Sequence, residues 1–301
     1  MRDAVRLALG TLTILPVRAP QAVDRRTAGR AMVLAPVVGL LLGVIVLAAL
    51  WVLGGGTLTR FPGAAEDVGW YAYAPATTAP RPSVLSPLLS AVLAVGLLAV
   101  LTRGMHLDGL ADTADGLGSG KPPEEALAVM RRGDIGPFGV LTVLLVLLTQ
   151  VAALQAALTA GRGVSTVVVA LVVSRSVLPL LCSEGVPAAR SSGLGSAVAG
   201  SVSRPALAVG LAVGVLAVAL VVLGQAGWWH LAGAGGELPY TGLAGGRLSS
   251  LRLALAVVLP LAAGVTLALR CVRRLGGVTG DVLGACVEVA FTTCLLVLAV
   301  G

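Results

Sequence analysis

Residues 31–53 read AMVLAPVVGLLLGVIVLAALWVL and contain no charged side chain. A helix needs about 20 apolar residues to cross the hydrocarbon core of a bilayer, so this run is long enough to span a membrane. Six further segments have the same character and a similar length. The seven predicted spans are residues 31–53, 84–103, 138–160, 164–183, 205–224, 251–270 and 282–300.

The composition of the whole chain agrees with these spans. Of its 301 residues 57% are hydrophobic and 12% are charged, and the mean hydropathy is +0.97. These values exclude an ordinary soluble domain. They predict an all-α, polytopic membrane helix bundle that forms one integral membrane domain over residues 1–301. The four cysteines lie in or beside spans without a C-x-x-C pair, which is typical of small packing residues.

The basic residues predict which side of the membrane each loop faces. Short cytoplasmic loops collect Lys and Arg. If the N-terminus is cytoplasmic, the opposite side holds only Arg60, Arg81, Arg162, Arg247 and Arg252, Arg175 lies in a span, and the other 15 of the 21 basic residues are cytoplasmic. We therefore expect the N-terminus inside and the C-terminus outside. The net charge of +7 then reflects this topology and attraction to anionic lipid, and not nucleic-acid binding.

A group of acids marks the cytoplasmic loop 104–137 as the predicted catalytic loop. Asp108, Asp112 and Asp115 are spaced i, i+4 and i+7, which places them on one face of a helix. Three such charges repel one another unless a cation lies among them, and Mg²⁺ prefers oxygen ligands together with substrate phosphates. The alternative is a solvated helix face, but the spacer residues are Leu, Ala, Gly and Thr. His106 points off this face and has either a structural or a catalytic role.

Two further cytoplasmic loops, residues 184–204 and 271–281, carry polar groups. In the second, Arg274, Thr279, Gly280 and Asp281 precede an apolar span, where backbone N–H groups at the start of a helix can face an anion. The simpler alternative is a capped helix after a basic loop, with Thr279 or Asp281 as the cap. The first loop, around Arg190, is either a substrate flap or a polar connection.

Two charged residues are predicted inside spans. Glu288 lies about two turns into the last span, and Arg175 lies in the fourth. Charges at such positions are costly, usually functional, and normally paired with an opposite charge or an anionic ligand.

Three motifs resemble the cobalamin synthase family, the adenosylcobinamide-GDP ribazoletransferases. They are RGMHLDGLADTADGL at 103–117, RGDIGPFG at 132–139 and RLGGVTGDVLGA at 274–285. The beginning of the chain, LTILPV at 12–17 and APVVG at 35–39, is also similar to that family, so the likeness covers nearly the whole chain. One departure is Phe291, which stands one turn after Glu288 where the family commonly has a further acid.

The resemblance implies an Mg²⁺-dependent enzyme of the bacterial inner membrane with its active site facing the cytoplasm. A hydroxyl of α-ribazole, or of α-ribazole 5′-phosphate, attacks the cobinamide-linked phosphate of adenosylcobinamide-GDP. The products are adenosylcobalamin, or its 5′-phosphate, and GMP. The expected partners are these substrates and membrane lipid, and the sequence leaves open a homo-oligomer.

The residue roles that we expect follow from the motifs and the charges together. The catalytic candidates are His106, Asp108, Asp112 and Asp115. The candidates for substrate binding are Arg103, Arg131, Arg132, Asp134, Arg175, Arg274, Thr279 and Gly280. The candidate metal ligands are Asp108, Asp112, Asp115, Asp281 and Glu288.

Two other functions compete with this hypothesis. An ion-coupled transporter uses charges within the membrane and helices broken at glycines, but the acids here lie at a membrane boundary. A CDP-alcohol-type membrane phosphotransferase also places spaced aspartates on a helix. The different acid spacing and the His-Leu-Asp-Gly context argue against it.

Overall fold

The protein is described by a computed structural model over residues 1–54, 85–231 and 246–300. In these ranges the regular structure is helical, with two isolated β-bridges between loops. The helices are α1 (Arg2–Leu12), α2 (Arg25–Val33), α3 (Ala35–Leu53), α4 (Pro87–Leu101), α5 (Met105–Gly118), α6 (Pro123–Val129), α7 (Pro137–Thr159), α8 (Gly163–Leu181), α9 (Leu194–Val198), α10 (Arg204–Leu231), α11 (Gly246–Leu275) and α12 (Gly280–Ala299). The predicted all-α membrane bundle is confirmed. Arg60 and Arg81, which entered the topology prediction, lie outside the described residues.

The described residues contain six helices that are long and apolar enough to cross a membrane, namely α3, α7, α8, α10, α11 and α12. The count reaches seven, as predicted, when α4 is included together with α5, which bends away from it by 87°. With 15 residues, α4 is about 22 Å long, which is less than the thickness of a typical hydrocarbon core. We treat α5 as a helix that runs across one end of the bundle, outside the membrane-spanning segments.

The first predicted span is broken near its start. The sequence predicts one helix over 31–53, whereas α2 ends at Val33 and α3 begins at Ala35. Pro36 explains the break because it has no N–H to donate to the carbonyl one turn earlier. Asp24 caps the start of α2 by accepting from the Thr27 N–H at 2.7 Å.

Helices α8 and α12 form the centre of the bundle. In the apolar 18-residue window of each candidate span, 89% of the residues of α8 and 72% of those of α12 are buried. The share is 22–39% in the other four candidate spans. Glycines allow close packing around this centre. A Cβ at Gly39 of α3 would overlap the Leu171 carbonyl of α8, and one at Gly43 would lie 3.2 Å from a Val168 methyl.

One end of the bundle, called here the polar end, gathers the loops at 102–139, 182–204 and 275–281 and the start of α2. Arg25 donates to the Ala199 carbonyl at 3.1 Å, and the Ala189 N–H donates to Val278 at 3.0 Å. At the other end, Arg162 donates to the Ala299 carbonyl at 3.2 Å, close to where α12 ends.

The chain begins with a helix that packs on the protein. This helix is α1, and its buried face consists of Ala4, Leu7, Ala8 and Leu12. The segment directly after α1 is held to the end of α4, because the Ile14 N–H donates to the Leu101 carbonyl at 2.6 Å.

Candidate active site

A sharp corner between α4 and α5 sets the direction of the acid-bearing helix. Arg103 and Gly104 both have positive φ angles, 55° and 65°, and a non-glycine residue in this left-handed region is uncommon. The Arg103 guanidinium donates to the Gly10 carbonyl at 2.8 Å. The structure thus places Arg103 at the corner, where it holds the N-terminal segment.

Two glycines bring α5 against the start of α12. A Cβ at Gly109 would lie 2.6 Å from the Asp281 carbonyl oxygen, and one at Gly284 would lie 3.2 Å from the His106 Cα. Only a hydrogen side chain permits this approach. The crossing brings Asp281 of α12 beside Asp108 and Asp112 of α5, and these three residues are called the acid cluster below.

The acid cluster has an excess of negative charge. Asp108 is exposed and Asp112 is half-buried. Partial burial raises the pKa of Asp112 to about 6, with further upward contributions from the charges of Asp108, Asp281 and Asp115, and Arg190 opposes the rise. A cation placed here would relieve the repulsion.

Asp115 contacts a different part of the protein from Asp108 and Asp112. Its side chain is 7% exposed. One carboxylate oxygen accepts from the Gly136 N–H at 2.7 Å and the other from the Gly139 N–H at 2.9 Å. These are N–H groups at the start of α7 that have no partner within their own helix, so Asp115 caps α7 and favours its dipole. The sequence grouped Asp115 with Asp108 and Asp112 as one row of ligands; the structure turns it toward α7.

On α12, Thr279 is the cap and Asp281 faces the site. The Thr279 hydroxyl accepts from the Val282 N–H at 3.2 Å and donates to Asp281 Oδ2 at 3.2 Å. Asp281 Oδ2 also accepts from Arg190 Nη1 at 3.4 Å. Gly280 is the first residue of α12 and packs beside Leu194, with which a Cβ would make an ordinary contact at 3.5 Å.

Arg190 lies at this site but is not among the site residues predicted from the sequence. It lies in the predicted loop 184–204, and besides Asp281 it contacts α6 by donating to the Leu127 carbonyl at 3.0 Å. Its loop pairs with the turn before α12 through an Ala188–Val278 bridge. A single arginine in a polar loop gives no sequence signal that distinguishes this position from a solvent-exposed one.

Four of the predicted substrate-binding residues lie exposed at the polar end. Arg131, Arg132 and Asp134 are on the turn between α6 and α7, and Arg274 is in the last turn of α11. Within the described residues, no hydrogen bond or ion pair joins these exposed side chains to the acid cluster.

Glu288 lies away from the acid cluster, inside the bundle. It is 5% exposed, and its Oε2 accepts from Gln150 Nε2 of α7 at 2.8 Å. The same Gln150 nitrogen donates to the Thr292 hydroxyl at 3.0 Å. Although Glu288 is two turns from Asp281 on the same helix, the hydrogen bonds favour a structural role over the predicted role of metal ligand.

Arg175 is the buried cation beside it. Its side chain is fully buried, Nη1 donates to the Ser174 hydroxyl at 2.8 Å, and the guanidinium carbon lies 5.9 Å from the centre of the Phe291 ring. The charges of Arg175 and Glu288 act on each other. Arg175 thus lies in the field of an acid inside the bundle, but its Nε and Nη2 are buried without a hydrogen-bond partner, and the substrate contact predicted for it stays a prediction.

His106 lies close to this buried pair. It is 5% exposed, and its Nδ1 has no hydrogen-bond partner. Burial lowers the pKa of His106 to about 3, with a smaller contribution from Arg175, so the imidazole is neutral and a weak proton acceptor. Gln150, Arg175, Glu288 and His106 are called the interior network below.

Within the described ranges, no group of three or more His, Cys, Asp or Glu side chains is arranged to hold a metal ion. Mg²⁺ does not require such a group, because it is commonly held by one or two carboxylates with waters and substrate phosphates. Asp108 and Asp112 are one turn apart on α5, and Asp281 is adjacent. These oxygen donors and their excess negative charge fit Mg²⁺.

Together, fold and site define a polytopic membrane protein with a cluster of carboxylates at one end of its bundle. Comparison with known sequences makes this specific. The family described as Cobalamin-5-phosphate synthase matches residues 4–69 and 55–299, and the chain belongs to this family. It is therefore an enzyme, a transferase of cobalamin biosynthesis, and family membership does not favour the transporter or the CDP-alcohol-type phosphotransferase.

Individual relatives match over nearly their full length. A protein of Frankia casuarinae named adenosylcobinamide-GDP ribazoletransferase is 40% identical over 299 residues, which cover 98% of this chain and 93% of the relative. A Nocardioides protein of the same name is 39% identical, with 98% of both chains covered. A Pseudomonas aeruginosa protein of that name is 35% identical over 306 residues, 99% of this chain and all of the relative. No solved structure matches the chain.

Proposed function

We propose that this protein joins α-ribazole, or its 5′-phosphate, to adenosylcobinamide-GDP in an Mg²⁺-dependent reaction. The attacking ribazole hydroxyl forms a bond to the cobinamide-linked phosphorus, the bond from that phosphorus to the GMP oxygen breaks, and the hydroxyl proton is released. The names of the relatives supply the substrates. The observation in this chain that supports the proposal best is the acid cluster, in which partial burial, together with the charges of Asp108 and Asp281, raises the pKa of Asp112 to about 6.

Phosphoryl transfer of this kind depends mainly on positioning and on stabilising negative charge. When bound, Mg²⁺ would neutralise charge on the phosphate oxygens and on the leaving group. Asp108, Asp112 and Asp281 would hold it, and a carboxylate of the cluster that is not bound to the metal would take the hydroxyl proton. His106 is a poorer candidate for that step because it is buried and neutral.

The arginines around the polar end would orient the substrate. Arg131, Arg132 and Arg274 are exposed and each carries a planar cation that can bind phosphate in a bidentate manner. Asp134 lies on the same turn as the first two and stays a candidate for substrate contact.

We further propose that the polar end faces the cytoplasm of a bacterial cell, across the inner membrane. Most basic residues lie at this end, as the positive-inside rule requires of the cytoplasmic side. A cysteine at Ser119, on the turn after α5, should be labelled by a membrane-impermeant maleimide only after the cells are opened. Labelling of intact cells would contradict this orientation.

The proposed activity is tested with the full chain purified in lipid. Adenosylcobinamide-GDP, α-ribazole and Mg²⁺ should yield GMP and a cobalamin in equal amounts, and chelation of the metal should stop both. A matched variant, Glu124→Gln, removes an exposed acid from the same end and should retain full activity. Absence of GMP with folded protein and active control enzyme would contradict the proposal.

A further inference from the structure

The structure points to Arg190 as a residue that binds a phosphate of the nucleotide substrate, with Asp281 as its partner only while the substrate is absent. This inference rests on the proposed function, because it takes the diphosphate of adenosylcobinamide-GDP as the ligand. It adds a substrate-binding residue that lies on a different segment from the arginines of the family-like motifs.

The hydrogen bonds of Arg190 leave part of its donor capacity unused. A guanidinium has five N–H donors. Nη1 is 3.4 Å from Asp281 and Nη2 is 3.0 Å from the Leu127 carbonyl, whereas Nε is buried and has no partner. A buried donor without a partner is costly, and at the edge of a site a bound ligand is one group that can satisfy it. The Nε–Nη edge of a guanidinium fits two oxygens of one phosphate.

The contact with Asp281 is weak enough to be exchanged. Charge-assisted N–H···O bonds are typically about 2.7–2.9 Å, so the 3.4 Å contact is long. The two side chains are 21% and 27% exposed, which lets water and substrate reach them. A phosphate that binds Arg190 would free the Asp281 carboxylate to face the metal.

Arg190 also has the right electrostatic position. Its positive charge acts on Asp112 as well as on Asp281, so the guanidinium lies within the field of the acid cluster. A metal-bound diphosphate carries negative charge that needs a cation on the side away from the metal. Arg190 supplies one without a change in the fold.

The loop that carries Arg190 is firmly held. The Val278 N–H donates to the Pro187 carbonyl at 2.9 Å, and the Ala189 N–H donates to the Val278 carbonyl at 3.0 Å. A Cβ at Gly277 would overlap the backbone at Ala188 and Ala189, so only glycine allows this pairing. A cation that is positioned before binding loses less entropy when the substrate arrives.

The competing explanation is that Arg190 only ties its loop to α6 and α12. The two explanations differ in which kinetic constant changes. Arg190→Lys keeps the charge but loses the bidentate geometry. Because a hydrogen bond to a charged group is lost, we expect kcat/KM for adenosylcobinamide-GDP to fall about tenfold or more. The KM for α-ribazole and the thermal midpoint should stay at the wild-type values.

The experiment measures both KM values, the binding of adenosylcobinamide-GDP at equilibrium without α-ribazole, and the thermal midpoint. Arg190→Lys and Arg190→Met are compared with Arg204→Lys and Arg204→Met, which alter an exposed arginine of the same end. Weaker binding of adenosylcobinamide-GDP in the Arg190 variants alone supports the inference. If Arg190→Met does not fold, Arg190→Lys decides.

Two outcomes overturn the inference without touching the proposed function. Either Arg190→Lys binds and turns over adenosylcobinamide-GDP as the wild type does, or both substrates lose affinity together with the thermal midpoint. Failure of the proposed function is distinct, because the wild-type protein itself would then release no GMP.

Discussion

The molecule holds two groups of charged residues within a few turns of each other on α12, and they are built in opposite ways. The acid cluster at the polar end has three carboxylates, partial exposure and one long contact to Arg190. In the interior network Glu288 accepts a hydrogen bond from Gln150 and lies in the field of the Arg175 charge, and all three side chains are buried. The first group has an excess of negative charge and is partly exposed. The second is buried and holds charges of both signs, although Arg175 Nε and Nη2 have no hydrogen-bond partner.

The difference shows why a charged residue in a membrane protein does not by itself mark a site. A buried acid with a hydrogen-bond donor and a nearby cation is already stabilised within the protein and does not require a ligand. Exposed acids that repel one another are stabilised only when something binds. We therefore assign chemistry to the acid cluster and structure to the interior network.

The largest effect is expected from Asp112→Asn. It removes one carboxylate from the centre of the acid cluster without changing its size. Metal stabilisation of a phosphoryl transition state is worth several kcal/mol, so kcat should fall about 1,000-fold. The thermal midpoint should not fall, because the substitution relieves repulsion. GMP release measures kcat and thermal unfolding measures the midpoint, with Glu124→Gln as the control for both. Near-normal turnover of Asp112→Asn would show that Asp112 is not part of the site.

The interior network should respond through stability. Arg175→Met leaves the buried Glu288 charge without a cation nearby, and Glu288→Gln leaves the buried Arg175 charge without an acid nearby. Each change should lower the free energy of unfolding by about 3–5 kcal/mol. The double variant should recover most of that loss. Unfolding in mixed detergent micelles gives the double-mutant cycle. Additive losses would show that the two residues are not coupled.

A smaller effect is expected where α5 crosses α12. Gly109→Ala would place a Cβ 2.6 Å from the Asp281 carbonyl oxygen and push the two halves of the acid cluster apart. A displacement near 1 Å can cost about 100-fold in rate, and we expect kcat/KM to fall about 10- to 100-fold. Gly133→Ala is the control, since a Cβ there meets nothing within 4 Å. Equal activity of both variants would contradict the close approach.

The smallest effect is a pH dependence of metal binding. The pKa of Asp112 is raised to about 6, so the carboxylate is charged above that pH and protonated below it. Protons then compete with the metal, and its affinity should fall by up to about tenfold for each pH unit below 6. Asp108→Asn removes a neighbouring negative charge and should move the onset to lower pH. If the onset does not move, the charge of Asp108 does not raise the pKa of Asp112.

Much of the fold follows from the sequence because membrane spans need long apolar runs, and seven such runs are visible. The break at Leu34 and the short α4 were not predicted, since a hydropathy pattern does not show where a helix begins afresh or bends. The cap at Thr279 was one of two candidates, and only geometry chose it.

The site was predicted in part for a similar reason. Periodicity placed Asp108, Asp112 and Asp115 on one helix, but which neighbour each side chain meets depends on the packing of α7 and α12. Asp115 meets two N–H groups of α7, and Asp281 meets Arg190 from a loop about 90 residues earlier in the chain. The apolar ring of Phe291 lies under the Arg175 guanidinium, a contact that no periodicity in the sequence indicates.

We expect the metal to bind at the acid cluster and not at the interior network, and this difference can be measured. It is tested most directly by titrating Mn²⁺, a probe for the Mg²⁺ site, into the detergent-solubilised full chain and following free Mn²⁺ by electron paramagnetic resonance. The Asp108→Asn/Asp112→Asn protein should show no binding, and the Arg175→Met/Glu288→Gln protein should bind Mn²⁺ as the wild type does. Binding that survives the first pair of substitutions, or is lost with the second, would contradict it.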